Sequence, residues 1–247
     1  MYAIVSHHDK KYKPLGDVTW DKNKLVYAKR HGYAAHCRTE NFVTSNVNPM
    51  AGQHGSMTGF EKIYYIKEIL ESHPEYKWVW WTGTDSMITN MNVRIEDRIS
   101  NNYHFMIATD VNGINADSWL IRNSPEGHEF LNDILSLESE CVKFWDMEQR
   151  AIALTLGLPI TGEAAWINHK KGNLTICDKW RDKVKIVPQK YLNAYIYQLY
   201  GSQYPDPRDR LAVNGNWSYG DWLVHWPGSS FEVRLDLAKQ FENVIVY

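Results

Sequence analysis

The sequence predicts an α/β protein built on a single open sheet, and three observations predict it. Trp78-Val79-Trp80-Trp81 is an unbroken run of large apolar side chains that passes into the small polar turn Thr82-Gly83-Thr84-Asp85-Ser86. That is the pattern of a buried strand delivering a carboxylate to the edge of a sheet. Short apolar runs alternate with helix-patterned segments in the coarse order β-α-β-loop-α-β, followed by mixed strands and helices. The 247 residues carry no Pro/Ser/Gly-rich linker or composition break, so residues 1–247 read as one domain.

Tyr2 to Ser6 is the first strand, and it opens onto polar His7-His8-Asp9, a place for a nucleotide. Asp21 to His31 reads as a helix stopped at Gly32, and Tyr33 to Cys37 as the second strand. Thr39 to Ser56, with Pro49, Gly52 and Gly55, reads as a long loop near a site. Phe60, Ile63, Tyr64, Ile66, Lys67 and Leu70 then recur at helical spacing, and Pro74 closes that helix before the Trp-rich strand.

Beyond Asp85 the pattern predicts a third layer of short strands, His104 to Thr109 and Ser118 to Ile121. A helix from Pro125 to about Leu137 follows, with proline in its first turn. Another helix begins near Asp146, where Asp146 and Glu148 suit the positive end of its dipole. Val184 to Val187 reads as a strand, Tyr191 to Trp217 as irregular, Trp222 to His225 as a last apolar run, and Phe231 to Phe241 as an amphipathic helix. Ligands of open α/β sheets bind at the carboxyl ends of strands, where this reading puts Asp85, Asp110 and His225.

Composition narrows the function classes. A formal charge of -2 with acids and bases interspersed gives no polyanion-binding footprint. The 11 Trp and 15 Tyr are numerous; most are expected in the core, but such aromatics also line sugar and base sites. Three distant cysteines without CxxC spacing fit a reducing compartment and no structural zinc. Residues 1–6 are too short and uncharged for a signal peptide, and no apolar run reaches the length of a membrane span. The expectation is a cytoplasmic protein with no membrane span, in which the sequons at Asn173 and Asn216 are chance.

A carboxylate and a distant histidine, each at a strand end, are able to share one divalent cation with a diphosphate; the bland alternative makes them turn and core residues. The chemistry would be Lewis-acid stabilisation of a diphosphate that gains charge as a glycosidic bond breaks.

Several segments resemble glycosyltransferase family 34, the family of fungal mannan-type galactosyl- and mannosyltransferases and plant xyloglucan xylosyltransferases. Met57-Thr58-Gly59-Phe60-Glu61-Lys62 and Ser72-His73-Pro74-Glu75 are similar to its Gly-Phe-Trp-x-Lys and Ser-His-Pro-Glu, and Trp80-Trp81-Thr82-Gly83-Thr84-Asp85-Ser86 to its Trp-Trp-Met-Asp-Ser-Asp-Ala. Asn115-Ala116-Asp117-Ser118-Trp119-Leu120-Ile121-Arg122-Asn123 resembles its Asn-Thr-Gly-Ser-Phe-Leu-Ile-Arg-Asn. Asp146 to Gln149 with Ala151, Leu192 to Tyr195, and Gly220 to Gly228 resemble its acidic-Gln-x-Ala, Leu-Asn-Ala/Ser-Tyr and Gly-Asp-x-x-Val-His-Phe-x-Gly. These pieces fall in the family's order, and the resemblance covers roughly residues 1 to 230.

The resemblance implies a GT-A fold, a single Rossmann-like mixed open sheet flanked by helices, and retaining transfer from a UDP-sugar with Mn²⁺, or alternatively Mg²⁺. It carries Asp85 and His225 over as metal ligands. Gln149, with Glu148 or Asp146, would face the sugar and its anomeric carbon, and Asn115 would lie on the sugar-binding loop. Lys62, Thr84, Ser86 and Gly228 are further donor contacts from the same motifs. Ser6 and His7 after the first strand are candidates for the base or ribose, and Asp110 for donor-sugar hydroxyls or a turn cap. Trp217, Trp222 and Trp226 read as an acceptor platform or as core.

The chain departs from the pattern at Gly83, where the first Asp of Asp-x-Asp is expected, and at Ser229-Ser230, where Cys-Lys is expected. One carboxylate fewer weakens a hard-cation site. The metal then binds only with the nucleotide, or is dispensable with Lys62, Arg38 or Lys29 neutralising the diphosphate. The acceptor stays open among a glycan, a lipid-linked or capsular glycan, a protein and a hydroxylated DNA base. The last would use the basic clusters Lys10 to Lys13 and Lys170 to Arg181. A catalytically lapsed nucleotide-sugar-binding module is the alternative that Gly83 motivates; a metal-dependent hydrolase is disfavoured because no second ligand set is visible.

Overall fold

The computed structural model describes residues 1–40, 59–110, 113–160, 175–196 and 215–247. The chain enters through β1 (Tyr2–His7), then a helical stretch made of α1 (Lys13–Gly16), a π-helical segment (Asp17–Lys24) and α2 (Leu25–His31). Gly32, at φ 69°, ends it in the left-handed conformation expected of that glycine. The helix begins earlier than the sequence suggests, because Leu15, Val18 and Trp20 also bury their side chains. Next come β2 (Ala34–Arg38), α3 (Gly59–Ser72), β3 (Trp78–Thr82) and β4 (Ser86–Ile88). The expected loop falls largely on residues 41–58, outside the described residues.

β5 (Phe105–Asp110) and β6 (Gly113–Arg122) form a hairpin, followed by α4 (Pro125–Ser136), α5 (Glu138–Cys141) and α6 (Met147–Thr155). Ser124 caps α4 by accepting a hydrogen bond from the Gly127 amide, with Pro125 in the first turn. The chain continues through β7 (Val184–Val187), α7 (Gln189–Leu192), β8 (Ala194–Tyr195) and β9 (Leu223–His225) to α8 (Phe231–Phe241). Ser230 caps this last helix. The segment expected to be irregular from Tyr191 thus holds a helical turn and a short strand.

Among the described residues the main sheet has six strands in the order β2-β1-β3-β6-β5-β7. β1 runs parallel to β2 and β3, β6 is antiparallel to β3 and β5, and β7 is parallel to β5. The strands expected to form a third layer are therefore central members of this sheet. Mixed pairing accommodates them because a hairpin brings β6 back beside β3.

Side chains alternate across β3, and both faces are covered. Val79 and Trp81 join the cluster under α3, α4 and α6, while Trp78 and Trp80 join the opposite cluster with Tyr27 and Trp222. A smaller sheet, β4-β9-β8, stands at the carboxyl end of β3. Its antiparallel β4–β9 pair sets Ser86 opposite His225. β8 lies parallel to β9 with Tyr195 beside His225.

Candidate active site

Two ladders bring the functional side chains together. The turn between β3 and β4 holds Asp85, whose carbonyl accepts from the Trp226 amide at 3.0 Å, so β9 delivers His225 to it. On the other flank, Thr82 pairs with Ser118, and the Gly83 amide donates to the Asp117 carbonyl at 2.9 Å. Asp117 therefore lies directly across from Gly83.

Asp85, Asp117 and His225 present ligand atoms that all lie within 4.8 Å of one another. His225 Nε2 is 3.4 Å from Asp85 Oδ1 and 3.4 Å from Asp117 Oδ2. Buried, it makes no hydrogen bond among the described residues. The other ring nitrogen, Nδ1, is 2.5 Å from Asn193 Oδ1 and must donate to it, since a carbonyl oxygen only accepts. Asn193 Nδ2 donates to the Tyr195 hydroxyl, which donates to Asp110 Oδ2. A buried chain of hydrogen bonds thus fixes the imidazole and turns Nε2 toward the two carboxylates.

Cations complete the group. Lys62 on α3 is 2.7 Å from Glu148 Oε1 and 3.1 Å from Asp117 Oδ1, and donates to the Ala116 carbonyl at 3.2 Å. Arg234 on α8 is 3.2 Å from Asp85 Oδ2. Burial disfavours the charged form of His225, but Asp85 and Asp117 outweigh it and hold the pKa at about 9. The same balance acts on the acids. Burial would raise both carboxyls, yet Arg234 and His225 hold Asp85, and Lys62 and His225 hold Asp117, below the usual carboxylate range.

Asp85, Asp117, Lys62 and Arg234 line a cleft of about 420 Å³, together with His7, Tyr12, Thr84, Trp145 and Glu148. A second cleft of about 430 Å³ adjoins it through His8 and is lined by Asp9 and Cys37 near the ends of β1 and β2 and by Trp20 and Asp21 of the π-helical segment. Burial pushes the pKa of His7 down to about 4, so this ring is neutral at pH 7.

The structure gathers His7, Lys62, Thr84, Asp85 and Glu148 at the main cleft, with His225 at its buried back. Four other expected residues stand behind it. Asp110 accepts from Asn115 Nδ2 at 2.9 Å, Asn115 Oδ1 accepts from the Asp117 amide at 3.0 Å, and Gln149 Oε1 accepts from the Ala116 amide at 3.1 Å. Asp146 pairs with Arg150 at 2.8 Å. Ser6 donates to the Thr82 carbonyl and Ser86 to the Gly83 carbonyl, each at 2.8 Å, so both tie the turn from inside. Gly228 lies in the exposed approach to α8 and does not line the cleft.

Of the two readings open for the tryptophans, core holds for Trp222 and Trp226, which are buried; Trp222 stacks on Trp80 at 4.4 Å, and Trp217 packs on Phe241. Of the cations expected to neutralise a diphosphate, only Lys62 lines the cleft. Arg38 is bound to Glu68 at 2.7 Å and Lys29 is exposed on α2. Sequence reasoning missed Arg234, for which no local signal existed, and Trp145, which is 66% exposed at the mouth. It also gave Asp117 no role, although a carboxylate in a segment otherwise patterned on Asn-Thr-Gly-Ser was visible.

Residues 5–102 match the galactosyl transferase GMA12/MNN10 family. Similar proteins include an uncharacterised alpha-1,2-galactosyltransferase of Schizosaccharomyces pombe, 29% identical over 53% of this chain and 43% of that protein. Galactomannan galactosyltransferase 1 of Cyamopsis tetragonoloba is 24% identical over 76% and 44%. Xyloglucan 6-xylosyltransferase 1 of Arabidopsis thaliana is 31% identical over 45% and 25%. The chain spans less than half the length of each of these relatives.

Among solved structures, a glycosyltransferase involved in the glycosylation of the major capsid of PBCV-1 superposes with a TM-score of 0.67, at 16% identity, over 97% of this chain and 98% of that one. The glycosyltransferase GlyE of Streptococcus pneumoniae gives 0.54 at 13% identity, over 100% and 66%. The family resemblance and the GT-A fold expected from the sequence are both borne out. Among the described residues, no helix is long and apolar enough to cross a membrane.

Proposed function

We propose, for a chain of this glycosyltransferase family and GT-A fold, that the cleft moves a sugar from a nucleotide-diphospho-sugar, a UDP-sugar, to a hydroxyl acceptor with retention at the anomeric carbon. The observation that carries the reading is the convergence, at the carboxyl end of β3, of Asp85, Asp117 and His225 on one side and of Lys62, Arg234 and Glu148 around the same cleft. A leaving diphosphate needs positive charge where it departs, and a glycosyl centre that becomes cationic needs a carboxylate near by.

The donor set fits a hard divalent cation. Two carboxylate oxygens and one imidazole nitrogen within 4.8 Å suit Mn²⁺ or Mg²⁺. Bound there, the ion would act as a Lewis acid on the diphosphate. The chain's own residues do the rest. Arg234 on α8 and Lys62 on α3 supply fixed charge beside the leaving group, the first held by Asp85 and the second by Glu148, Asp117 and the Ala116 carbonyl. Glu148, buried beside Lys62, supports the developing positive charge on the sugar; Gln149 fixes the β6 backbone that carries Asp117. His7 and the adjoining cleft at the ends of β1 and β2 are assigned to the base and ribose. Trp145 at the mouth offers a ring face to the acceptor sugar.

The three cysteines are free thiols, which supports a reducing compartment and a cytoplasmic acceptor. The test is a binding panel of UDP- and GDP-sugars with and without Mn²⁺, followed by donor hydrolysis and transfer. Asp85→Ala, His225→Ala and Glu148→Gln are each expected to lose turnover; full activity in all three overturns the assignment. Gly83 favours a second reading, a lapsed binding module, which predicts thermal stabilisation by UDP-sugar with no turnover across acceptors.

A further inference from the structure

Gly83 and Asp117 face one another where the β3–β6 ladder ends, the Gly83 amide donating to the Asp117 carbonyl at 2.9 Å. A Cβ built on Gly83 would lie 2.9 Å from Asp85 Oδ1, 3.5 Å from Asp117 Cγ and 3.6 Å from Asp117 Oδ1. A side chain at 83 would thus meet Asp85 at once and extend alongside the carboxylate of Asp117, which is in van der Waals contact with the added Cβ. Directly opposed positions of an antiparallel pair project to the same face, so a carboxylate carried by either residue reaches the same place. The backbone at Gly83 is not left-handed, and crowding by Asp85 and Asp117 is the feature of this position that a side chain would meet.

The sequence shows the same exchange. Where the motifs quoted above read Asp in the turn and Gly in the opposing strand, this chain reads Gly83 and Asp117. A second, independent observation points to a ligand. His225 Nε2 is buried and aimed by its Nδ1 contact with Asn193 between Asp85 and Asp117, where it lies 3.4 Å from an oxygen of each without meeting hydrogen-bond geometry to either, so the three ligand atoms surround one common point.

We propose that Asp117 supplies, from the neighbouring strand, the carboxylate that position 83 lacks, and that Asp85, Asp117 and His225 together hold one divalent cation of the Mn²⁺/Mg²⁺ class, the His225 Nε2 proton passing to solvent as the cation enters. The ligand set is then two carboxylates and one imidazole, the same in charge as a site with both acids in the turn. Gly83 marks a relocated ligand and not a lost one. The inference deepens the glycosyl-transfer reading and rests on it for what the cation does, but not for whether it binds.

The test is Mn²⁺ uptake by the full chain, followed by electron paramagnetic resonance of the free ion and by calorimetry, with Mn²⁺ alone and with Mn²⁺ plus UDP. Asp117→Asn and Asp117→Gly are expected to weaken binding by at least about tenfold, the loss typical even of a residue that only orients a ligand. The double variant Gly83→Asp/Asp117→Gly is expected to regain affinity to within about threefold of the natural chain. Circular dichroism and melting of each variant separate loss of the site from loss of the fold, and the double variant supplies a gain of binding that misfolding cannot mimic. No Mn²⁺ uptake by the natural chain in either arm overturns the proposal, as does undiminished binding by Asp117→Asn, or a double variant no better than Asp117→Gly. Mn²⁺ bound as expected but without donor binding or transfer leaves the relocated ligand standing and removes the glycosyl-transfer reading instead.

Discussion

Replacing Lys62 by methionine isolates the charge balance that the cleft depends on. The two side chains are similar in length, so packing beside the Trp81 ring, 5.5 Å from the ammonium, is largely kept. What is lost is the cation 2.7 Å from Glu148 and 3.1 Å from Asp117. The Lys62 and Glu148 side chains are 10% and 11% exposed, and Asp117 is 36% exposed. Stranding one partner of a buried pair costs about 3–5 kcal/mol. Water reaches Asp117, and His225 still faces it, so the lower end, about 3 kcal/mol, is the expected loss. For a domain of this size that corresponds to a fall in Tm of roughly 6–12 °C.

Urea unfolding of Lys62→Met, Glu148→Gln and the double variant measures it. Because the penalty comes from an uncompensated carboxylate, the double variant is expected to be more stable than Lys62→Met alone. A Lys62→Met protein within about 1 kcal/mol of the natural chain, or a double variant destabilised by the sum of the two singles, refutes the reasoning.

Trp145 and Trp222 separate surface function from core. Trp145→Ala should change stability by less than about 0.5 kcal/mol while raising the acceptor KM, whereas Trp222→Ala, which removes the ring stacked on Trp80, should cost about 3–5 kcal/mol. Unchanged acceptor kinetics in the first, or a mild loss in the second, would contradict these placements. His7 gives a pH dependence. Its folded pKa of about 4 lies below the ordinary histidine value of 6.5, so the unfolded chain binds the proton more readily between those values and stability falls as pH drops from 6.5 toward 4. His7→Gln should flatten that slope by about 1–2 kcal/mol across the window, read by urea midpoints at pH 7 and pH 4.5; an unchanged slope rules His7 out as its source. Asn193→Ala leaves the His225 Nδ1–H without its acceptor, and should weaken Mn²⁺ binding by about 10–100-fold; equal affinity would show that the ring needs no such anchor.

Local chemistry made much of the fold legible. The apolar run Trp78 to Trp81 had to be a strand covered on both faces, and β3 is one. The Ser124-Pro125 start of α4, the glycine at 32 and the Pro74 stop before β3 are steric and hydrogen-bonding signals that act within a turn of the chain, so they survive any tertiary context. The alternating faces of the sheet were less readable, because a strand buried on both sides shows no period. The hairpin strands β5 and β6 were therefore expected in a separate layer. Trp222 and Trp226 illustrate the same gap, since a tryptophan near a polar turn has one composition whether it meets solvent or Trp80.

By itself, then, the sequence determined the strand, the turn, Asp85, the family resemblance and the missing acid at position 83. Only the tertiary structure decided what takes its place. A motif counts positions along the chain, and along the chain one acid is missing. A cation responds to oxygen and nitrogen atoms in space, and those are brought together by strand register: β6 sets Asp117 across from Gly83, and β9 sets His225 beside Asp85. Register depends on which strands pair, and that is fixed by the packing of the whole sheet and not by any segment read alone.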